Sequence, residues 1–137
     1  MTEILESNVR PILTPNAASA PFFDGAAAGR LMLRRCRACG TWHAPQALFC
    51  MECLSAEIEW TPASGRGRVH SFTVIHRGQI EGLETPYNVA IVETEEGPRI
   101  VSQLLGIAPD RIVVGMSVSA VFRRLSSGMV LPYFAAE

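Results

Sequence analysis

From residue 65 onward, hydrophobic and polar positions alternate in short runs that are separated by glycine-bearing turns. Five runs rich in Val, Ile, Phe and Thr stand out: Val69–Arg77, Tyr87–Thr94, Arg99–Leu105, Ser117–Arg124 and Met129–Phe134. Such runs predict β-strands, because branched and aromatic side chains suit a pleated, half-buried surface. Turn signals divide them at Gly78, Gly82, Glu95-Glu96-Gly97-Pro98, Gly106 through Gly115, and Ser126-Ser127-Gly128. In the first run Val69, Ser71, Thr73 and Ile75 fall on one face, with His70, Phe72, Val74 and His76 on the other. A short helical turn is expected around Pro109–Val113, between the third and fourth strands. Five strands joined in this way predict a small Greek-key barrel of the OB type, which leaves few open sheet edges.

The text before residue 65 follows a different rule. Residues 31–60 hold four cysteines between short apolar pieces, with strands expected at Leu31–Arg35, Trp42–Ala44 and Ile58–Trp60. Residues 1–30 are rich in Ala and Pro. Thr14-Pro15 predicts a helix start, with Thr14 as N-cap and a helix running to about Gly29 across a break or restart at Pro21. Phe22 and Phe23 would dock that helix on an apolar surface. The chain therefore divides into an N-terminal helical segment (1–30), a four-cysteine ribbon (31–62) and a barrel (63–137). The fold expected is mainly β.

Charge narrows the function. Twelve arginines face thirteen acids among 137 residues, a net charge of −1, and no lysine occurs. Nucleic-acid binders carry a basic surplus because they must neutralise phosphates. The missing lysine also excludes a P-loop or Schiff-base lysine in this chain. Mean hydropathy is +0.20, high for a small soluble domain, so part of the apolar surface is expected to meet a partner. The first residues carry acids before an arginine and no uninterrupted apolar core; they do not read as a signal peptide, and a cytoplasmic location is expected.

The chemistry concentrates in Cys36-x-x-Cys39 and Cys50-x-x-Cys53, ten residues apart. Two such turns on facing hairpins can close a tetrahedral tetrathiolate site. Disulfides or free thiols are the alternatives, and iron competes with zinc because rubredoxin also uses paired C-x-x-C turns. The short insert between the pairs favours zinc. Gly40, directly after Cys39, suits a left-handed turn that aims backbone N–H groups at the thiolates. Four thiolates leave no open coordination position, so the metal expected is structural Zn²⁺. His43 is expected to be a hairpin or surface residue, not a ligand.

No self-contained catalytic set is legible. Ser64-Gly65 and Ser126-Ser127-Gly128 are turn serines, and no Asp/Glu pair stands out. Gly65-Arg66-Gly67-Arg68 resembles a phosphate loop only in part, lacking a helix behind it. His70 and His76, on one predicted strand face, are the residues on which a stand-alone enzyme would rest.

The order of features nevertheless resembles a known family. Phe22-Phe23-Asp24-Gly25 leads into Gly29-Arg30-Leu31 and the cysteine pairs, followed by Trp60, Ser64-Gly65-Arg66-Gly67 and Val69-His70-Ser71-Phe72-Thr73-Val74. Pro86, Val89–Glu93, Gly115 and Val118 continue the pattern. This is similar to the zinc-ribbon/OB-fold family of acyl-CoA-associated proteins, over about residues 20–134. The resemblance implies a non-catalytic or co-catalytic accessory subunit in lipid, polyketide or steroid side-chain metabolism. Its implied partners are a thiolase-like enzyme, an aldolase or a MaoC-type hotdog hydratase, within a hetero-oligomer, with a CoA thioester as ligand to bind or hand over. Where relatives often carry Pro-Arg between the cysteine pairs, this chain reads Ala44-Pro45-Gln46. Arg34, Arg35, Arg37, Arg66 and Arg68 are the substitutes available for a phosphate, since guanidinium is a planar bidentate donor. Ligand or partner contacts are accordingly expected at Phe22, Phe23, Arg34, Arg35, Arg66 and Arg68. The reading from a different class is a single-stranded nucleic-acid-binding module, with Phe72, Tyr87 and Phe122 stacking on bases.

Overall fold

A computed structural model of the chain describes residues 3–9, 14–78 and 80–137. Two sheets and one helix account for its architecture. The smaller sheet has three strands, β2 (Met32–Cys36), β3 (Trp42–His43) and β4 (Ile58–Pro62), in the order β3-β2-β4. The larger sheet contains β5 (Arg66–Ile75), β6 (Tyr87–Thr94), β7 (Arg99–Ser102), β8 (Leu104–Leu105), β9 (Ser117–Arg124) and β10 (Val130–Ala136). Their path is β7-β6-β5-β9-β10-β8. It is open as a list of strands, but its two ends, β7 and β8, are consecutive pieces of one segment separated by Gln103. That segment pairs antiparallel with β6 at its start and parallel with β10 at its end. This is the strand arrangement of an OB fold.

Differences from the sequence expectation have local causes. The expected strand 99–105 is interrupted at Gln103, where the chain changes partners. The strand expected from Val69 begins at Arg66, so the Gly65–Arg68 stretch is β-structure and not a phosphate loop. Gly67 is paired on both sides, with Thr94 and Val118. A Cβ there would lie 2.6 Å from the Glu93 carbonyl oxygen and 2.7 Å from Val92 Cγ1, so glycine alone lets the strands meet. A bulge between Val69 and Ser71 inserts His70 as an extra residue and shifts the alternation. The core face therefore runs from buried Val69 to half-buried Phe72, not to Ser71. The even spacing of His70 and His76 no longer implies a shared face, and both are exposed.

The N-terminal region also departs from expectation. The helix, α1, spans Ala20–Ala27, with Ser19 at its N-cap and Pro21 in its first turn. Thr14 is not the cap. The Asn16 side chain accepts the Ser19 N–H at 2.9 Å, and Ser19 Oγ accepts the Asn16 N–H at 3.0 Å. These bonds hold residues 16–19 as a turn, and a proline is tolerated only in the turn that follows. Gly29, at φ 75°, marks the far end. Upstream, Ile4–Glu6 forms an unexpected strand, β1, parallel to residues 122–124 of β9. Three residues, only one of them half-buried, carry too little alternation to be read as a strand.

One core unites barrel and helix. Ala26 of α1 and Leu31 join Val69, Val92, Val118, Phe122 and Phe134 in a single buried cluster. The ribbon has only Cys36, Cys50 and Ile58 buried together, with Ala47 against them. That is too little apolar burial to hold a module, and the cysteines must contribute by other means. Among the described residues no helix is long and apolar enough to cross a membrane.

Candidate metal centre and junction groove

Two knuckles of like backbone bring the cysteines together. β2 ends at Cys36, and the chain reverses so that the Gly40 N–H donates to the Cys36 carbonyl at 2.9 Å. In the second knuckle the Leu54 N–H donates to the Cys50 carbonyl, also at 2.9 Å. The residue after each second cysteine is left-handed, Gly40 at φ 78° and Leu54 at φ 63°. The left-handed turn expected at Gly40 is present, and the Cys39 N–H points at Cys36 Sγ (3.5 Å). All four sulfurs lie within 4.8 Å of one another, with Cys36–Cys53 at 3.6 Å and Cys39–Cys50 at 3.5 Å. A tetrahedron with Zn–S near 2.3 Å has edges of about 3.8 Å, so the donor set fits this ion with small adjustment. None of the cysteines is in a disulfide.

Local hydrogen bonds differentiate the metal-free thiols. The Thr41 hydroxyl, 3.1 Å from Cys39 Sγ, and the Thr41 backbone hold the Cys39 thiol down to about 6. Cys53 receives a lowering hydrogen bond from the Ser55 backbone. Contact with the Cys36 thiol, together with desolvation and the other two thiols, outweighs it and pushes Cys53 up to about 12. His43 sits on β3 opposite Arg34, buried, and is not among the clustered ligands. It is a hairpin residue, facing inward and not at the surface.

A second feature lies where helix, ribbon and barrel meet. A groove of about 600 Å³ is lined by Phe22 and Phe23 of α1, Trp60 of β4, Val101 of β7, and Pro132 and Tyr133 of β10. Ser19, Gln46, Arg99 and Gln103 supply polar groups to it. Phe22 meets Phe23 edge-on at 5.4 Å between centroids and Trp60 at 6.3 Å. On Trp60 lies the Arg34 guanidinium, 4.8 Å from the ring centroid, and it also donates to the Ile58 carbonyl at 3.0 Å. Arg123 covers Tyr133 in the same way at 4.2 Å. The result is an apolar trough braced by cations behind its rings.

The six expected contact residues thus separate into groups. Phe22, Phe23 and Arg34 gather around Trp60. Arg35 points elsewhere, stacked on Trp42 at 5.0 Å and donating to the Gly40 carbonyl. Arg66 and Arg68 line a different, charged cleft on β5, where Arg66 pairs with Glu95 at 3.1 Å and Arg68 donates to the Gly115 carbonyl. Of the three aromatics expected to stack on bases, Phe122 is 2% exposed and offers no ring face, while Phe72, which packs against the core, and Tyr87 are half-buried. Arg99, Val101, Pro132 and Tyr133 were not legible as site residues. They reach the groove only because β7 and β10 converge, which no local pattern announces.

Comparison with known proteins agrees with this architecture. Residues 23–59 match the family profile described as ChsH2, rubredoxin-like zinc ribbon domain, and residues 60–123 match ChsH2, C-terminal OB-fold domain. The chain is 38% identical over 133 residues to the probable enoyl-CoA hydratase alpha subunit of Thermomonospora curvata, covering 97% of this chain and 42% of that protein. It is 41% identical over 93 residues to a DUF35 domain-containing scaffold protein of Methanothermobacter thermautotrophicus, covering 66% of this chain and 70% of the relative. A solved structure titled Ltp2-ChsH2(DUF35) aldolase superposes with TM-score 0.82 at 38% identity, covering 93% of this chain and 98% of that one. The chain thus spans less than half of the hydratase subunit and about two thirds of the scaffold protein. With the ribbon and most of the barrel matched in order by the two profiles, and a DUF35 scaffold protein matched over 70% of its length, this chain belongs to the DUF35 family of ChsH2-like zinc-ribbon/OB-fold proteins.

Proposed function

We propose that this chain is a non-catalytic accessory subunit that binds or hands over acyl-CoA thioesters in complex with a thiolase-like enzyme, an aldolase or a MaoC-type hydratase. The junction groove carries the reading. It is an apolar trough formed jointly by α1, the ribbon and the barrel, and of a size that suits a small ligand. Relatives named as a hydratase alpha subunit and as part of an aldolase supply the reaction context. In this reading Phe22, Phe23, Trp60 and Tyr133 hold the apolar part of the thioester. Arg99 is placed for an anionic portion, while Arg34 and Arg123 serve by stiffening the aromatic walls. Arg35, Arg66 and Arg68 remain further phosphate contacts to test. Cys36, Cys39, Cys50 and Cys53 hold a structural Zn²⁺ that fixes the ribbon wall; a closed tetrathiolate supplies folding energy and no open site for water.

The test is reconstitution with thiolase-like, aldolase and hydratase subunits from the same organism. Added wild-type chain should raise the kcat/KM of its partner among them for the CoA thioester. Phe22→Ala and Arg99→Ala should each remove about tenfold of the gain. A gain that both variants retain in full would overturn the role of the groove.

A further inference from the structure

The two knuckles of the ribbon share a backbone but differ in surface. Around Cys36 and Cys39 the chain carries Arg37, Ala38 and Gly40. Around Cys50 and Cys53 it carries Leu48, Phe49, Met51 and Leu54, which are 78%, 44%, 70% and 73% exposed. These are four of the nine large hydrophobic side chains exposed among the described residues, within seven consecutive positions. Metal ligation does not need them, since the first knuckle presents its thiols without any. Nor does the turn. Leu54 occupies the left-handed position that its twin gives to Gly40, a conformation that disfavours any side chain, and being exposed it recovers nothing by burial.

Charge says what covers this patch. No Lys or Arg occurs between Arg37 and Arg66, and Arg37, whose N–H donates to the Glu57 carbonyl at 2.9 Å, pairs its guanidinium with Glu59 at 3.7 Å, whereas Glu52 and Glu57 are exposed beside the apolar residues. An anionic membrane or a nucleic acid would be repelled by them. A second copy in a two-fold contact would set these acids against themselves. What fits is an apolar recess rimmed by arginine or lysine on a different protein.

We propose that the Cys50–Cys53 knuckle is the docking surface for the enzyme subunit this chain assists, its Leu48, Phe49, Met51 and Leu54 seating in an apolar recess with a basic rim. The proposal rests on the accessory-subunit reading above. The test measures the Kd of the zinc-loaded full chain for thiolase-like, aldolase and hydratase subunits from the same organism. Leu48→Ser combined with Met51→Ser should weaken binding by about thirtyfold or more, as loss of central apolar anchors does. Glu52→Gln with Glu57→Gln should slow association several-fold at low salt and hardly at high salt.

Leu54→Gly guards against misfolding. It relieves the left-handed strain, so Tm should hold or rise while affinity falls about three- to tenfold. Equal affinity for wild type, Leu54→Gly and the serine pair, all with full zinc content, would overturn the docking surface and leave the accessory role standing. Wild-type chain that binds none of these enzymes would overturn both. A concentration-dependent dimer abolished by the serine pair would assign the patch to a second copy and refute the proposal.

Discussion

Asn88 offers the sharpest test of how the barrel holds the groove. It lies on β6, 3% exposed, opposite the point where the 99–105 segment changes partners. Its Oδ1 accepts the Leu104 N–H at 2.7 Å, and its Nδ2 donates to the Leu104 carbonyl at 2.9 Å. The side chain thereby replaces the backbone ladder that β7 has just left. Asn88→Ala would remove both bonds and strand two buried backbone groups, at about 1–3 kcal/mol each before relaxation. The expected loss is about 3 kcal/mol. For a chain of this size that corresponds to a Tm lower by about 10 °C in zinc-replete buffer.

Asn88→Asp sharpens the reasoning. One oxygen can still accept the Leu104 N–H, but the other would face the Leu104 carbonyl unless protonated. Burial and that carbonyl both favour the neutral acid, raising the folded pKa above the unfolded value. Stability conferred by the protonated form is then lost as pH rises through the folded pKa, so the variant should recover toward wild type as pH falls from 8 toward the unfolded aspartate value of about 3.9. Thermal melts across that range, alongside amide exchange at Leu104, provide the assay. A loss below about 1 kcal/mol for Asn88→Ala, with Leu104 still protected, would refute the assignment of this pair as the clasp of the split strand.

Other outcomes follow from the same structure. Cys50→Ser removes a fully buried ligand from a module with almost no other core; zinc content should fall well below one per chain and amide protection across β2–β4 should collapse, as read by metal analysis and hydrogen exchange. At pH 7 zinc uptake should release the proton of Cys53, held near 12 without metal, but little from Cys39, held near 6; the sign is that acid opposes metal binding, and calorimetry in buffers of different ionisation enthalpy counts the protons. Glu95→Gln should leave the Tm almost unchanged at low and at high salt, because its pair with Arg66 is more than half exposed.

The strands of the barrel were readable because their alternation and their turns are local. β6 and β9 fall where the pattern puts them, at Tyr87–Thr94 and Ser117–Arg124. The cysteine spacing likewise announces two knuckles whose sulfurs converge. What escaped the sequence is non-local or subtracts from a pattern. The His70 bulge breaks an alternation that looks perfect on paper, and β1 exists only because β9 is available to receive it. Ser19 replaces Thr14 as helix cap because an Asn16–Ser19 turn intervenes. The groove wall at Arg99 and Tyr133 depends on which strands close against one another, and the left-handed Leu54 cannot be recognised without its twin, Gly40.

As proposed, this chain works as a subunit of an acyl-CoA enzyme. Co-expression with thiolase-like, aldolase and hydratase subunits from the same organism, followed by light scattering on the purified material and turnover of the CoA thioester, tests this. The expected product is a defined hetero-oligomer whose turnover exceeds that of the enzyme alone. A chain that elutes as a stable monomer, and that alters neither turnover nor CoA-ligand binding of such an enzyme, would contradict it.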